Sequence, residues 1–295
     1  MPGRPPDVAR GHRGGVNNLV LLLIVVAVAG WWMDRSPDET DGGPSDDEVT
    51  RIEHELAPVG SQGSQGSPGS QGSVGSQGSQ GSQGSPSSQG SPLREGIAAL
   101  VLVDVSGSMS ESVTDGGQGR PKIVVARRAA QSLIQQFATY GAAHPDEPVV
   151  VGLFEFSERK GDPSVREVIP LSPADPARSE AALARMRADG GTPIGDAMIA
   201  AKRALDASRL TRRHLLVVTD GENTAGYKPS DVMKALARRP EQERPSVYFV
   251  AFDVAASRFS AVRDGGGLVL EAGGAAELDA TLNSLLTGKI LVEGP

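Results

Sequence analysis

The segment "LVLVDVSGSMS", residues 100–110, begins as a run of branched aliphatic residues and ends on one aspartate followed by serines spaced two apart. A strand with one wet face alternates polar and apolar residues. This run does not alternate, so it reads as a central parallel strand covered by helices on both faces. Its polar end then falls at the C-terminal rim of the sheet, where open α/β folds place their ligands.

Outward from this strand the pattern is regular. Strand-like runs are "IAALVLVDV" (97–105), "PVVVGLFEFS" (148–157), "REVIPL" (166–171), "HLLVVTD" (214–220), "SVYFVAF" (246–252) and "GLVLEA" (267–272). Helical patterns cover Lys122 to Tyr140, Pro176 to Arg187, Ile194 to Leu210, Pro229 to Arg239, Ala255 to Arg263 and Ala275 to Leu286. In the first of these, Ile123, Ala126, Ala130, Leu133, Ile134 and Phe137 recur at spacings of three and four, which makes one apolar stripe. Strands alternating with helices predict an α/β fold with a doubly wound, mostly parallel, Rossmann-like sheet. "REVIPL" follows its predecessor through the turn-rich "ERKGDPS" and is predicted to be an antiparallel edge strand.

The rest of the chain differs in composition. Of 295 residues, the first third holds one apolar stretch and one low-complexity tract. The division predicted is a short basic segment (1–15), a transmembrane signal anchor (16–33), an acidic polar segment (34–59), a Gly-Ser-Gln repeat linker (60–92), the α/β domain (93–287) and a C-terminal tail (288–295). Arg4, Arg10 and Arg13 precede "VNNLVLLLIVVAVAGWWM", while Asp34, Asp38, Glu39 and Asp41 follow it. As an anchor, this segment keeps its basic flank in the cytoplasm and puts Trp31 and Trp32 at the far interface. As a cleaved signal peptide, it would be cut at the small residues of Ala27-Val28-Ala29. Both readings place the domain on the extracytoplasmic side of the cell membrane. Glycine occupies every third position from Gly60 to Gly84, as in collagen, but Pro68 and Pro86 are too few to support a triple helix, which favours a flexible spacer. Its random-coil span is about 30 Å.

The absence of cysteine excludes thiolate metal sites, disulfides and a cysteine nucleophile. A net charge of -7 disfavours a nucleic-acid surface. Three loops on the predicted rim carry oxygen ligands instead. Asp104, Ser106 and Ser108 form D-x-S-x-S after the first strand; "ADGGTPIGDAM" offers Thr192; "HLLVVTD" delivers Asp220. Magnesium takes oxygen ligands in near-octahedral geometry at about 2.0–2.1 Å, and hydroxyls with two carboxylates meet that demand with few anions. An ion held mainly by neutral ligands stays electron-poor and keeps a position for a carboxylate from another molecule. Manganese and calcium fit an all-oxygen site as well. Asp196 and Asp253 read as a helix N-terminal acid and a strand-closing residue, and His144 and His214 as structural or solvent-facing.

The pieces "DVSGSM", "GGTPIGDA" and "VVTDGEN" resemble, in order and spacing, the three metal-binding loops of the von Willebrand factor type A domain with its metal ion-dependent adhesion site. The resemblance covers about Leu93 to Leu286, with no departure at the five metal positions. It implies that Ser106 and Ser108 are direct ligands, Thr192 a direct or switchable one, and Asp104 and Asp220 largely water-mediated anchors. The implied activity is non-enzymatic capture of a protein partner whose Asp or Glu completes the metal's coordination. A membrane-tethered, bacterial binding module is therefore the expected function. The alternatives are a metal-dependent hydrolase or phosphatase, for which no suitable base lies beside "DVSGS", and a subunit of an AAA+ ATPase-associated complex, which an exported domain disfavours.

Overall fold

The computed structural model describes residues 46–57 and 92–292; the apolar segment 16–33, the repeat 60–91 and the last three residues lie outside them. Six strands form one sheet: β1 (Arg94–Asp104), β4 (Val149–Phe156), β5 (Val165–Ser172), β6 (Leu210–Thr219), β7 (Ser246–Phe252) and β8 (Leu268–Ala272). Their order is β5-β4-β1-β6-β7-β8. All neighbours run parallel except β4 and β5, so the edge strand is antiparallel, as its short turn-rich connection predicts. A separate hairpin of β2 (Ser112–Asp115) and β3 (Gln118–Pro121) follows the first strand.

The uninterrupted aliphatic character of β1 has a direct cause in the layers. Ile97, Ala99, Val101 and Val103 face one core, shared with helices α2 (Lys122–Ala143) and α7 (Ala275–Leu285). Ala98, Leu100 and Leu102 face the other, shared with α4 (Ile194–Ser208) and α5 (Pro229–Ala237). Both faces are covered, so alternation has no physical role. Helix α3 (Pro176–Leu183) completes the first layer, capped by Asp175, whose carboxylate accepts from the Arg178 N–H.

The N-terminal helix, like the hairpin, has no counterpart in the sequence reading. Helix α1 (Asp46–Glu55) forms within the stretch read as an acidic polar segment. It buries Val49, Ile52 and, just past its end, Leu56 in the second core. Three such side chains contribute about 5–8 kcal/mol of gross burial, which a lone ten-residue helix needs because isolated helices of that length are marginal. Arginines border the contact: Arg203 pairs with Glu55, Arg238 with Glu53, and Arg239 donates to the Leu56 carbonyl. Among the described residues, no helix is long and apolar enough to cross a membrane.

Candidate metal centre

Each rim residue is delivered by a strand end or by the turn after it. Asp104 is the last residue of β1 and has no solvent exposure. One carboxylate oxygen accepts from the Ser106 N–H at 2.7 Å; the other accepts from the Thr219 hydroxyl at 2.6 Å. The chain then turns through a short 3₁₀ segment, Gly107–Ser110, which brings the hydroxyls of Ser106 and Ser108 within 3.2 Å of each other. Ser108 Oγ donates to Asp220 Oδ1 at 2.7 Å, tying the end of β1 to the residue following β6. Asp104, Ser106, Ser108 and Asp220 thus form one hydrogen-bonded group.

Thr192 stands on the adjoining loop and is buried. Its loop joins the first through Gly107 N–H to Gly190 O at 2.9 Å and Asp189 N–H to Val105 O at 2.8 Å. Gly190 lies at φ 85°, and an added Cβ would sit 2.2 Å from the Glu158 carbonyl oxygen, so only glycine closes this crossing. Among the described residues, the Thr192 hydroxyl makes no hydrogen bond to the other four. The loop after Asp220 holds Thr192 from the far side. Its N–H donates to Thr224 Oγ1 at 2.8 Å, and the Asn223 side chain accepts from the Ile194 N–H at 2.8 Å, supplying the cap that Pro193 lacks. Gly195 allows this loop to lie against α4, since a Cβ there would fall 2.1 Å from the Tyr227 carbonyl oxygen. Asn223 and Thr224 were not singled out by sequence, although both follow Asp220 within "DGENT".

The electrostatics of the two carboxylates differ. Burial pushes Asp104 up to about 6, against the hydrogen bonds from Thr219 and Ser106, and the nearby charge of Asp220 acts in the same direction as burial. Asp220 instead meets the buried ammonium of Lys122 at 3.0 Å. That ammonium also contacts Asp253 at 3.0 Å and Glu111 at 3.2 Å. Burial works against the charge of Lys122, but these carboxylates hold it above the ordinary lysine range. Lys122 is a site residue that sequence reasoning placed only at a helix start. Asp253 closes β7 as expected, but in a left-handed conformation (φ 57°) that turns its carboxylate toward Lys122. Asp196 accepts from the Tyr227 N–H at 3.0 Å and so fastens the loop rather than the helix terminus alone. His214 is buried in β6, opposite Ala99 and Ser246, well down the strand from the rim. His144 is exposed and stacks on Tyr140.

The donor set fits a hard cation. Among the described residues, no three His, Cys, Asp or Glu side chains form a metal-ligating group, so a cation here would rest on hydroxyls with two carboxylates behind them. The one carboxylate without a cationic partner, Asp104, is also the desolvated one, and a divalent ion would supply the missing charge.

Residues 99–222 match the profile of the von Willebrand factor type A domain, and the chain carries such a domain. No curated protein sequence matches the chain. Among solved structures, the PilB minor pilin from Streptococcus sanguinis is similar at 15% identity and TM-score 0.52, over 69% of this chain and 65% of that one. The pilus adhesin SpaC from Lactobacillus rhamnosus GG is similar at 16% identity and TM-score 0.50, over 68% and 31%. A von Willebrand factor type A protein from Catenulispora acidiphila aligns at 21% identity and TM-score 0.49, over 65% and 42%. The chain therefore spans less than two thirds of each of these proteins, and at such identities the likeness to the pilin and the pilus adhesin shows the fold alone.

Proposed function

We propose that the domain is a divalent-cation-dependent protein-binding module. The observation that carries this reading is the single hydrogen-bonded group of Asp104, Ser106, Ser108 and Asp220 at the C-terminal rim of the sheet, with Thr192 on the adjoining loop. Ser106, Ser108 and Thr192 would hold Mg2+, or Mn2+ or Ca2+, through hydroxyls, while Asp104 and Asp220 anchor it directly or through water. When bound, the ion supplies Lewis acidity toward an incoming carboxylate. The protein's own contribution is orientation. Thr219 and the Ser106 amide fix Asp104, Lys122 fixes Asp220, and the loop around Thr224 fixes Thr192. A partner Asp or Glu would complete the coordination. VWA domains are for the most part binding modules without catalysis, which supports this reading over hydrolysis.

The tethering belongs to the same proposal. Val16 to Met33 anchors the chain in the cell membrane, and the Gly-Ser-Gln repeat spaces the domain from it on the extracytoplasmic side. Capture of partner proteins from the native envelope is expected to be lost with EDTA and with Asp104→Ala alike. Capture that is full and chelator-insensitive contradicts the proposal. Fusion of a periplasm-active reporter after Trp32 and after Pro92 should give activity at both places; silence at both refutes export.

A further inference from the structure

Most arginines of the domain that carry a structural contact are neutralised by carboxylates. Arg128 meets Asp115 and Asp279, Arg166 meets Glu155, Arg212 meets Glu147, and Arg213 meets Asp206. The three arginines around residues 184–190 behave differently. Arg127 donates to the Met186 carbonyl, and Arg187 donates to the carbonyls of Ala184 (2.7 Å) and Met186 (2.9 Å). Arg159 donates to the carbonyls of Arg187 and Asp189. Carbonyls fix the direction of these guanidinium groups without cancelling their charge. Their one carboxylate contact is Arg159 with Asp189, at 4.0 Å, and that carboxylate is exposed. Burial, with the charge of Arg187 close by, makes Arg127 easier to deprotonate than an ordinary arginine, as adjacent unneutralised cations should. Lys160 and Arg185, exposed and without an ion pair, lie beside them in the chain. Against these five cations stand the exposed carboxylates of Glu158, Asp162 and Asp189.

The position of this patch gives it meaning. Asp189 and Gly190, which Arg159 grips from outside, pair with Val105 and Gly107, the residues on either side of Ser106. The cationic patch is thus continuous with the candidate metal centre, on a chain whose net charge is -7. We propose that Arg127, Arg159 and Arg187, with Lys160 and Arg185, form a second docking subsite beside the rim, fitted to an acidic polypeptide segment whose leading carboxylate occupies the metal centre. This rests on the metal-dependent reading above and adds the kind of partner: one with several acids close together, not one lone acid. The interruption of the patch by Glu158, Asp162 and Asp189 disfavours a continuous phosphate backbone, which would meet all three carboxylates, whereas acids spaced along a peptide need not.

The test uses the full chain with fluorescein-labelled Gly/Ser peptides carrying either one aspartate or several, read by anisotropy in the presence of Mg2+. The multi-aspartate peptide should bind about tenfold more tightly, with an advantage that shrinks as salt rises. Lys160→Glu with Arg185→Glu, side chains that make no hydrogen bond in the structure, should reduce that advantage to about twofold while thermal unfolding and Mg2+ affinity stay unchanged. Arg159→Gln with Arg187→Gln provides the second variant. Equal binding of the two peptides, or an undiminished advantage in both double variants, overturns the proposal. So does tighter binding of a single-stranded oligonucleotide with the same dependence on these residues. If Mg2+ fails to bind while arginine-dependent capture of the acidic peptide persists, the metal-dependent reading falls and the patch stands.

Discussion

The two ends of the central sheet both bury charge, and they treat it in opposite ways. At the end where β6 begins, Lys202 and Arg213 are buried against one carboxylate, Asp206, and Arg213 donates its remaining Nη2 to the Gln242 carbonyl. Both cations share this one counter-ion. At the end where β1 finishes, Asp104 is fully buried and meets only an amide and a hydroxyl. The first end uses charge for structure. The second keeps an acid away from water without a cation of its own, a costly arrangement that persists where a ligand supplies the missing charge.

Asp206→Ala is expected to break the structural end. It leaves Lys202 and Arg213 unpaired and should cost about 3 kcal/mol in chemical denaturation, at the low end for a buried pair because Asp206 is partly exposed, with Mg2+ affinity unchanged. A loss of metal affinity comparable to that of a rim variant would show that the ends are coupled.

His214 offers a pH test on the same half of the sheet. Burial, assisted by the charge of Arg212, lowers it from 6.5 to about 4. The folded state therefore binds fewer protons than the unfolded state between those values. Stability is fully present above pH 6.5 and declines as pH falls through about 4, by ~3 kcal/mol in total. His214→Gln should flatten that slope in denaturant titrations at several pH values; an unchanged slope assigns it to other groups.

Ile52→Asp should undock helix α1 at a cost of about 2 kcal/mol, read as loss of amide-exchange protection over residues 46–57. Glu55 accepts from the Tyr227 hydroxyl at 2.9 Å, so this variant also shows whether the rim depends on the N-terminal helix. An unaltered Mg2+ affinity keeps the two ends independent; a changed one makes Tyr227 the link.

The sheet and the rim were legible for separate physical reasons. Strands buried on both faces carry dense aliphatic runs that no helix among the described residues shares, and the antiparallel edge was marked by its turn-rich connection. The gathering of Asp104, Ser106, Ser108 and Asp220 at the rim was legible because each stands at or just after a strand end; their role as ligands belongs to the proposal. Several features were not. Helix α1 has Val49, Ile52 and Leu56 at helical spacing behind Asp46, Asp47 and Glu48, but its apolar stripe is too thin to stand out from a polar segment. The hairpin was not anticipated because its strands are short and polar; Gly116 and Gly117, with φ of 58° and 82°, form the tight turn that Asp115-Gly116 signals. The end of α4 was placed two residues late. Arg209, a left-handed non-glycine cap, stops the helix at Ser208, and Leu210 already belongs to β6. The segment expected as one helix from Ala255 divides into a 3₁₀ turn, Ala256–Phe259, and the short helix Ser260–Asp264. Lys122 was hidden because its role depends on Glu111, Asp220 and Asp253, which come together only in three dimensions.

The most direct measurement is calorimetric titration of Mg2+ into the full chain and into Asp104→Ala at neutral pH. One ion is expected to bind the native chain, with affinity lower by about 10–100-fold or more in the variant. Absence of binding to the native chain at millimolar Mg2+, Mn2+ and Ca2+, or equal binding to both proteins, would contradict the assignment of this rim as a metal centre.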